Sequence, residues 1–303
     1  MDTYRPGANP DDLGRGPMIV GIVWTLTILA MFVIGVRLYA RKKLKSLSWD
    51  DWIMAAALCI QLVDNSFMMV SYSYGMGKHD ADMTLNQIIN AVKWGWLWTS
   101  AGIFVATLAR VSCSIFLIRI FGIRKWFKWY LIGFTFLQCC AAIALFFVTF
   151  LGVQPIEALW NPFVTANASL TADVSIYMAY FTQALFTWAD LTYVLLPVIF
   201  IWKLQMGLPK RIGLMAVLLI SLITVAASIL KATRVQNVSS ELSEPQYAAS
   251  IATLLSGMEQ TLVMLLGSIP AACAVSKLHV GFFSRLDSYM SSCFSHRGTS
   301  QIK

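Results

Sequence analysis

Residues 188–202 read WADLTYVLLPVIFIW. The stretch is almost wholly apolar, yet it holds one aspartate, Asp190. A charge at mid-bilayer costs about 2.5–3.5 kcal/mol on insertion scales. A carboxylate kept in such a run needs other polar side chains around it. The fold turns on whether the rest of the chain can supply them.

The run is one of seven. Apolar segments lie at 18–40, 51–74, 94–119, 127–152, 175–202, 212–234 and 247–275. Each is long enough to cross a hydrocarbon core of about 30 Å as a helix. The chain has 303 residues, 58% of them hydrophobic and 13% charged, with a mean hydropathy of +0.67. A soluble domain carries far more charge. The pattern predicts an all-α protein, a single seven-transmembrane helix bundle over residues 18–276. An N-terminal tail, 1–17, precedes it and a tail, 277–303, follows. The first 17 residues are polar and make no signal peptide, so the first helix is expected to direct insertion. No internal repeat is evident.

The net charge of +8 is not spread as a nucleic-acid surface would be. Sixteen of the 23 basic residues lie around 37–45, 119–128 and 203–211 and in the tail from 277. The alternate segments hold six basic residues and nine acids. Basic residues mark the cytoplasmic side. The expected topology is N-terminus outside and C-terminus cytoplasmic, in an integral multi-pass protein. Its expected home is the plasma membrane, with an endomembrane as the alternative. The basic face is expected to meet anionic lipid of the bilayer or a cytoplasmic signalling partner. No nucleic-acid partner is expected.

Two sequons, at Asn167 and Asn237, fall in segments assigned outside and are candidate glycosylation sites. None of the six cysteines falls there, so no outside disulfide is expected, and their spacing fits no metal site. After residue 277, Phe282, Phe283, Leu286, Tyr289, Met290, Cys293 and Phe294 recur at helical spacing. They predict a short amphipathic juxtamembrane helix on the membrane surface, with Cys293 a candidate for lipidation.

At about 100° per residue, polar side chains line single faces of five segments. The second carries Gln61, Asp64 and Asn65, and the third Thr99, Thr107, Arg110 and Ser114. The fifth carries Gln183, Thr187 and Asp190, the sixth Ser221, Thr224, Ser228 and Lys231, and the seventh Ser256, Glu259 and Gln260. The first and fourth have no charge at their centres and are expected to face lipid more. Arg110 is the expected partner of Asp190, with Glu259 beside them. Three acids sharing one deep cation would leave at least one carboxyl protonated, water-solvated or titratable. Asp64, Arg110, Asp190, Glu259, Gln183 and Gln260 are therefore the candidate polar core or ligand set. Such groups also serve simply to hold helices together, so a structural network, a ligand core and proton chemistry all stay open.

Other motifs have local readings. In SWDDWIMAAA (48–57), Ser48 caps a helix whose positive end suits Asp50 and Asp51. LGVQPIEALWNP (151–162) is either a lid over an outward-facing cavity or a solvated connector. Pro197 and Pro270 favour kinks. Segment 247–275 has no lysine, so a retinal Schiff base has no attachment point there. No cofactor or metal is expected.

Seven stretches together resemble the fungal rhodopsin-domain family of seven-helix, receptor-like membrane proteins. They are RLYARKKLKSLSWDDW (37–52), YGMGKH (74–79), ARVSCSIFLIRIFG (109–122), QPIEALW (154–160), ADLTYVLLPVIFIWKLQM (189–206), KATRV (231–235) and GSIP (267–270). The resemblance implies a fungal source and a G-protein-coupled-receptor-like architecture, and some members of the family accompany secondary-metabolite genes. The chain departs from the family pattern at Arg110, where lysine is common, and at Val153 and Gln154, where a cysteine is common.

Three functions compete. One is a sensor of a lipophilic small molecule acting through Arg110, Asp190 and Glu259. The second is a membrane-embedded, acid-catalysed enzyme of the terpene-cyclase kind, using Asp64, Asp190 and Glu259. The third is a metabolite transporter, although inverted repeats, its usual sign, are not evident.

Overall fold

The computed structural model describes residues 12–43, 45–121, 125–161, 163–164, 168–169, 172–202, 223–226, 230, 246–247 and 249–268. Within the described residues the apolar runs form long helices, as chains in lipid must, because the backbone can satisfy its own hydrogen bonds only within the helix. α1 spans Gly16–Lys43, α2 Trp49–Ser73, α3 Leu85–Phe121, α4 Lys125–Leu151 and α5 Ala172–Trp202. A further helix covers Ala249–Ser268. Among the described residues, α1, α2, most of α3, α4 and the 249–268 helix are long and apolar enough to cross a membrane. The protein is an integral, multi-pass helical membrane protein.

α3 starts well before the expected position at 94. Thr84 Oγ1 accepts from the Gln87 N–H at 3.4 Å, and Gln87 Oε1 accepts from the Thr84 N–H at 2.9 Å. This reciprocal capping box starts the helix in polar sequence, where hydropathy gives no signal. With 37 residues, α3 is about 55 Å long and outruns the hydrocarbon core. The connector from α2 is correspondingly short. It turns through Gly75 and Gly77, both at positive φ, 108° and 91°, a region open to glycine. The α4–α5 connector holds a small antiparallel pair, β1 (Val153–Gln154) and β2 (Ala168–Ser169), in the register Val153↔Ser169.

α3 is the central helix. It packs on α2, α4 and α5, and 61% of its most apolar window is buried, against 28% for α1 and 22% for α4. Among the five described helices of that length and apolarity, α1 and α4 are the most exposed. The main core gathers Ile34, Met54, Val105, Leu131 and Met264 from five helices. Trp49 and Trp52 at the start of α2, and Trp126 and Trp129 at the start of α4, are exposed. They lie at the end where α1 finishes in Arg41, Lys42 and Lys43, as an interfacial aromatic belt would.

The first and fourth segments have no polar stripe, yet Thr27 and Arg37 of α1 and Gln138 of α4 are buried as single inward-facing polar residues. Several expectations fall outside the described residues: the sequons at Asn167 and Asn237, the amphipathic helix with Cys293, Lys231 and Pro270, and the 212–234 helix apart from 223–226 and 230.

Candidate functional site

Three helices meet at Arg110. Its Nε and Nη2 donate to Asp190 Oδ1 and Oδ2 at 3.2 and 2.9 Å. This fork-to-carboxylate geometry is the strongest arrangement open to the pair. Nη2 also donates to Glu259 Oε1 at 3.2 Å, and Nη1 to the Ala106 carbonyl at 3.3 Å. Gln183 Nε2, two turns before Asp190 on α5, donates to the same Glu259 oxygen at 2.9 Å. The Phe186 ring lies 4.2 Å from Arg110 Cζ, a cation–π contact on the guanidinium face. Arg110 and Asp190 are fully buried and Glu259 is 4% exposed. One cation thus ties α3 to α5 and to the 249–268 helix. Just beside it, the Ser114 and Tyr193 hydroxyls lie 2.7 Å apart, and Thr135 donates to Ser114 at 2.7 Å.

Asp64 belongs elsewhere. The expected sharing of Arg110 by three acids does not occur. Asp64 Oδ2 accepts from Gln260 Nε2 at 2.9 Å. Gln260 follows Glu259 in sequence, but a step of about 100° turns it toward α2 instead of Arg110. It reaches that position over Gly102, where any Cβ would collide with Gln260 Oε1. Gln61 Nε2 donates to Asn65 Oδ1 at 2.9 Å, and Asn65 Nδ2 donates to Thr27 Oγ1 at 3.0 Å. The candidate residues therefore form two neighbouring networks. Arg110, Asp190, Glu259 and Gln183 make one, and Asp64 and Gln260 belong to the other.

A third cluster has no counterpart in the sequence reading. Asp50 and Asp51 do more than suit a helix end, and the purely local account of them fails. Both are fully buried against Arg37 and Arg41 of α1. Arg37 Nη2 lies 2.6 Å from Asp50 Oδ2, and Arg37 Nε 2.9 Å from Asp51 Oδ1. Arg41 Nη1 lies 2.8 Å from each aspartate. Arg37 Nη1 donates to the Gly267 carbonyl at 2.9 Å, and Ser112 Oγ to the Asp50 carbonyl at 2.7 Å. Two cations and two anions thereby bind α1, α2, α3 and the end of the 249–268 helix. The spacing held a signal. Arg37 and Arg41 share a helix face at i, i+4, and a short turn brings that face to the start of α2.

A cavity of about 360 Å³ lies between α3, α4, α5 and the 249–268 helix. Its wall is mostly apolar, and it includes Phe186 and Glu259 of the Arg110 network. Val153 and Leu159 of the α4–α5 connector line it too, so part of 151–162 covers the cavity. Among the described residues no group of three His, Cys, Asp or Glu gathers as a metal site would need. This geometry can hold an apolar molecule against a charged, hydrogen-bonded wall.

A sequence model described as the fungal rhodopsin domain matches residues 36–277. Neither a curated protein nor a solved structure matches the chain at a significant level.

Proposed function

The chain belongs to the fungal rhodopsin domain family, and on that premise we propose that it is a receptor-like seven-helix sensor of a lipophilic small molecule. The cavity carries this reading. It is apolar, of ligand size, and shares Phe186 and Glu259 with the network that joins three helices. An occupant that favours one arrangement of that network shifts the population of states. The seven crossings run with the N-terminus outside and the C-terminus cytoplasmic, as the basic segments indicate. The cavity then opens beneath the outside connector, and the basic face meets anionic lipid and a cytoplasmic signalling partner. The plasma membrane suits such a sensor, in a role linked to secondary metabolism or host interaction.

The acid-catalysed alternative has less support. Of Asp64, Asp190 and Glu259, only Glu259 lines the cavity, and its Oε1 already accepts from Arg110 and Gln183.

Co-purified lipophiles test the reading. Wild-type protein and Ala179→Trp, which fills the cavity wall, are purified in parallel and their organic extracts compared by mass spectrometry. A compound stoichiometric with wild type and lost from Ala179→Trp is expected. Indistinguishable extracts overturn the reading.

A further inference from the structure

The buried acids of the long helices divide by partner. Asp50 and Asp51 each contact Arg37 and Arg41, and Asp190 and Glu259 each contact Arg110. Asp64, fully buried inside α2, meets no cation among the described residues. Its one hydrogen bond comes from a neutral amide, Gln260 Nε2, at 2.9 Å on Oδ2. The other oxygen, Oδ1, is closed to solvent and has no hydrogen-bond partner.

A second oxygen on the same face of α2 shares that condition. Gln61 precedes Asp64 by three residues, a spacing that makes neighbours on a helix. The direction of its hydrogen bonds is set at the far end of the chain they form. Thr27 Oγ1 gives its hydrogen to the Val23 carbonyl at 2.8 Å, and so accepts from Asn65 Nδ2 at 3.0 Å. Asn65 Oδ1 is then left to accept from Gln61 Nε2 at 2.9 Å. That turns Gln61 Oε1 away as an acceptor, and it too is buried without a partner.

Two acceptors closed to solvent, one turn apart, both want a donor. A buried, unpaired carboxylate is costly and tends to neutralise, whereas a protonated carboxyl can donate as well as accept. One hydrogen on Asp64 Oδ1 serves both oxygens, making Oδ1 a donor and Gln61 Oε1 its acceptor. We propose that Asp64 is a proton-binding site, a neutral carboxylic acid that donates to Gln61 Oε1 and accepts from Gln260. Among the described residues no titratable side chain opposes it. α1 presents Thr27 by way of Asn65, α3 presents Gly102 where Gln260 passes, and Glu259 of the 249–268 helix faces Arg110. Asp190 and Glu259, held by the guanidinium, are acids of a different kind. The proposal stands apart from the cavity and its occupant.

Infrared difference spectra of the full-length protein, in an ester-free detergent at neutral pH, test it. Wild type minus Asp64→Asn should show a carboxylic-acid carbonyl band, with the carboxylate bands unchanged. Asparagine offers a donor and an acceptor in the same places, so this variant is expected to fold. Should it not, Asp64→Glu replaces it, and the band should then move. Gln61→Leu removes the acceptor and should keep the band while raising its frequency. Loss of a carboxylate band in Asp64→Asn, no acid band that depends on residue 64, or a band indifferent to Gln61→Leu overturns the proposal. So does a carboxylate band that shifts when sodium replaces choline and is absent from Asp64→Asn, which would assign these oxygens to a metal cation.

Discussion

Removing the Arg37 guanidinium leaves two buried carboxylates to share the Arg41 guanidinium. Breaking one partner of a buried ion pair costs about 3–5 kcal/mol, because the remaining charge stays desolvated and unmatched. Arg37→Met should therefore lower stability by about that much in detergent unfolding. Lys42→Met, exposed on the adjacent turn, should shift it by less than about 0.5 kcal/mol. The same logic ranks substitutions at Arg110. Lysine retains the charge but has no planar fork. It cannot meet both Asp190 oxygens and Glu259 as the guanidinium does. Arg110→Lys should melt below wild type and above Arg110→Met, and equal melting temperatures for all three would remove Arg110 from its bridging role.

The start of α3 depends on two residues. Thr84 and Gln87 hold the first turn together reciprocally. Thr84→Ala should cost about 1 kcal/mol and speed amide exchange at residues 85–88, with little change at 100–115. Exchange unaltered in that first turn would mean that the helix is held there by other contacts. Hydropathy missed this turn because caps are written in hydrogen bonds between polar side chains and backbone, and apolarity says nothing of them. The α1–α2 junction failed for a related reason. Asp50 and Asp51 have a complete local explanation as first-turn acids, and a sufficient local account conceals a tertiary one. The six candidate residues were legible because a polar residue in an apolar helix must face inward. Their grouping was not. Glu259 and Gln260 are adjacent in sequence and serve different networks.

For the molecule as a whole, the charge asymmetry predicts where each terminus lies. In sealed cells, a protease added outside should cleave an epitope tag before residue 1 and leave one after residue 303 intact. The reverse pattern would overturn the orientation and place the cavity mouth on the cytoplasmic side. The sequence by itself determined the solvent of this protein, its helical class and the inward side of most helices. These follow from sums along one chain, of apolar length against bilayer thickness and of basic residues on alternate connectors. Only the tertiary structure decided which partner each buried charge takes. It also decided that α1 closes on α2 through four charges and that an apolar cavity stands beside Arg110. Those outcomes depend on the rotation and depth of helices relative to one another. An error of one residue turns a side chain through about 100° and exchanges one partner for another.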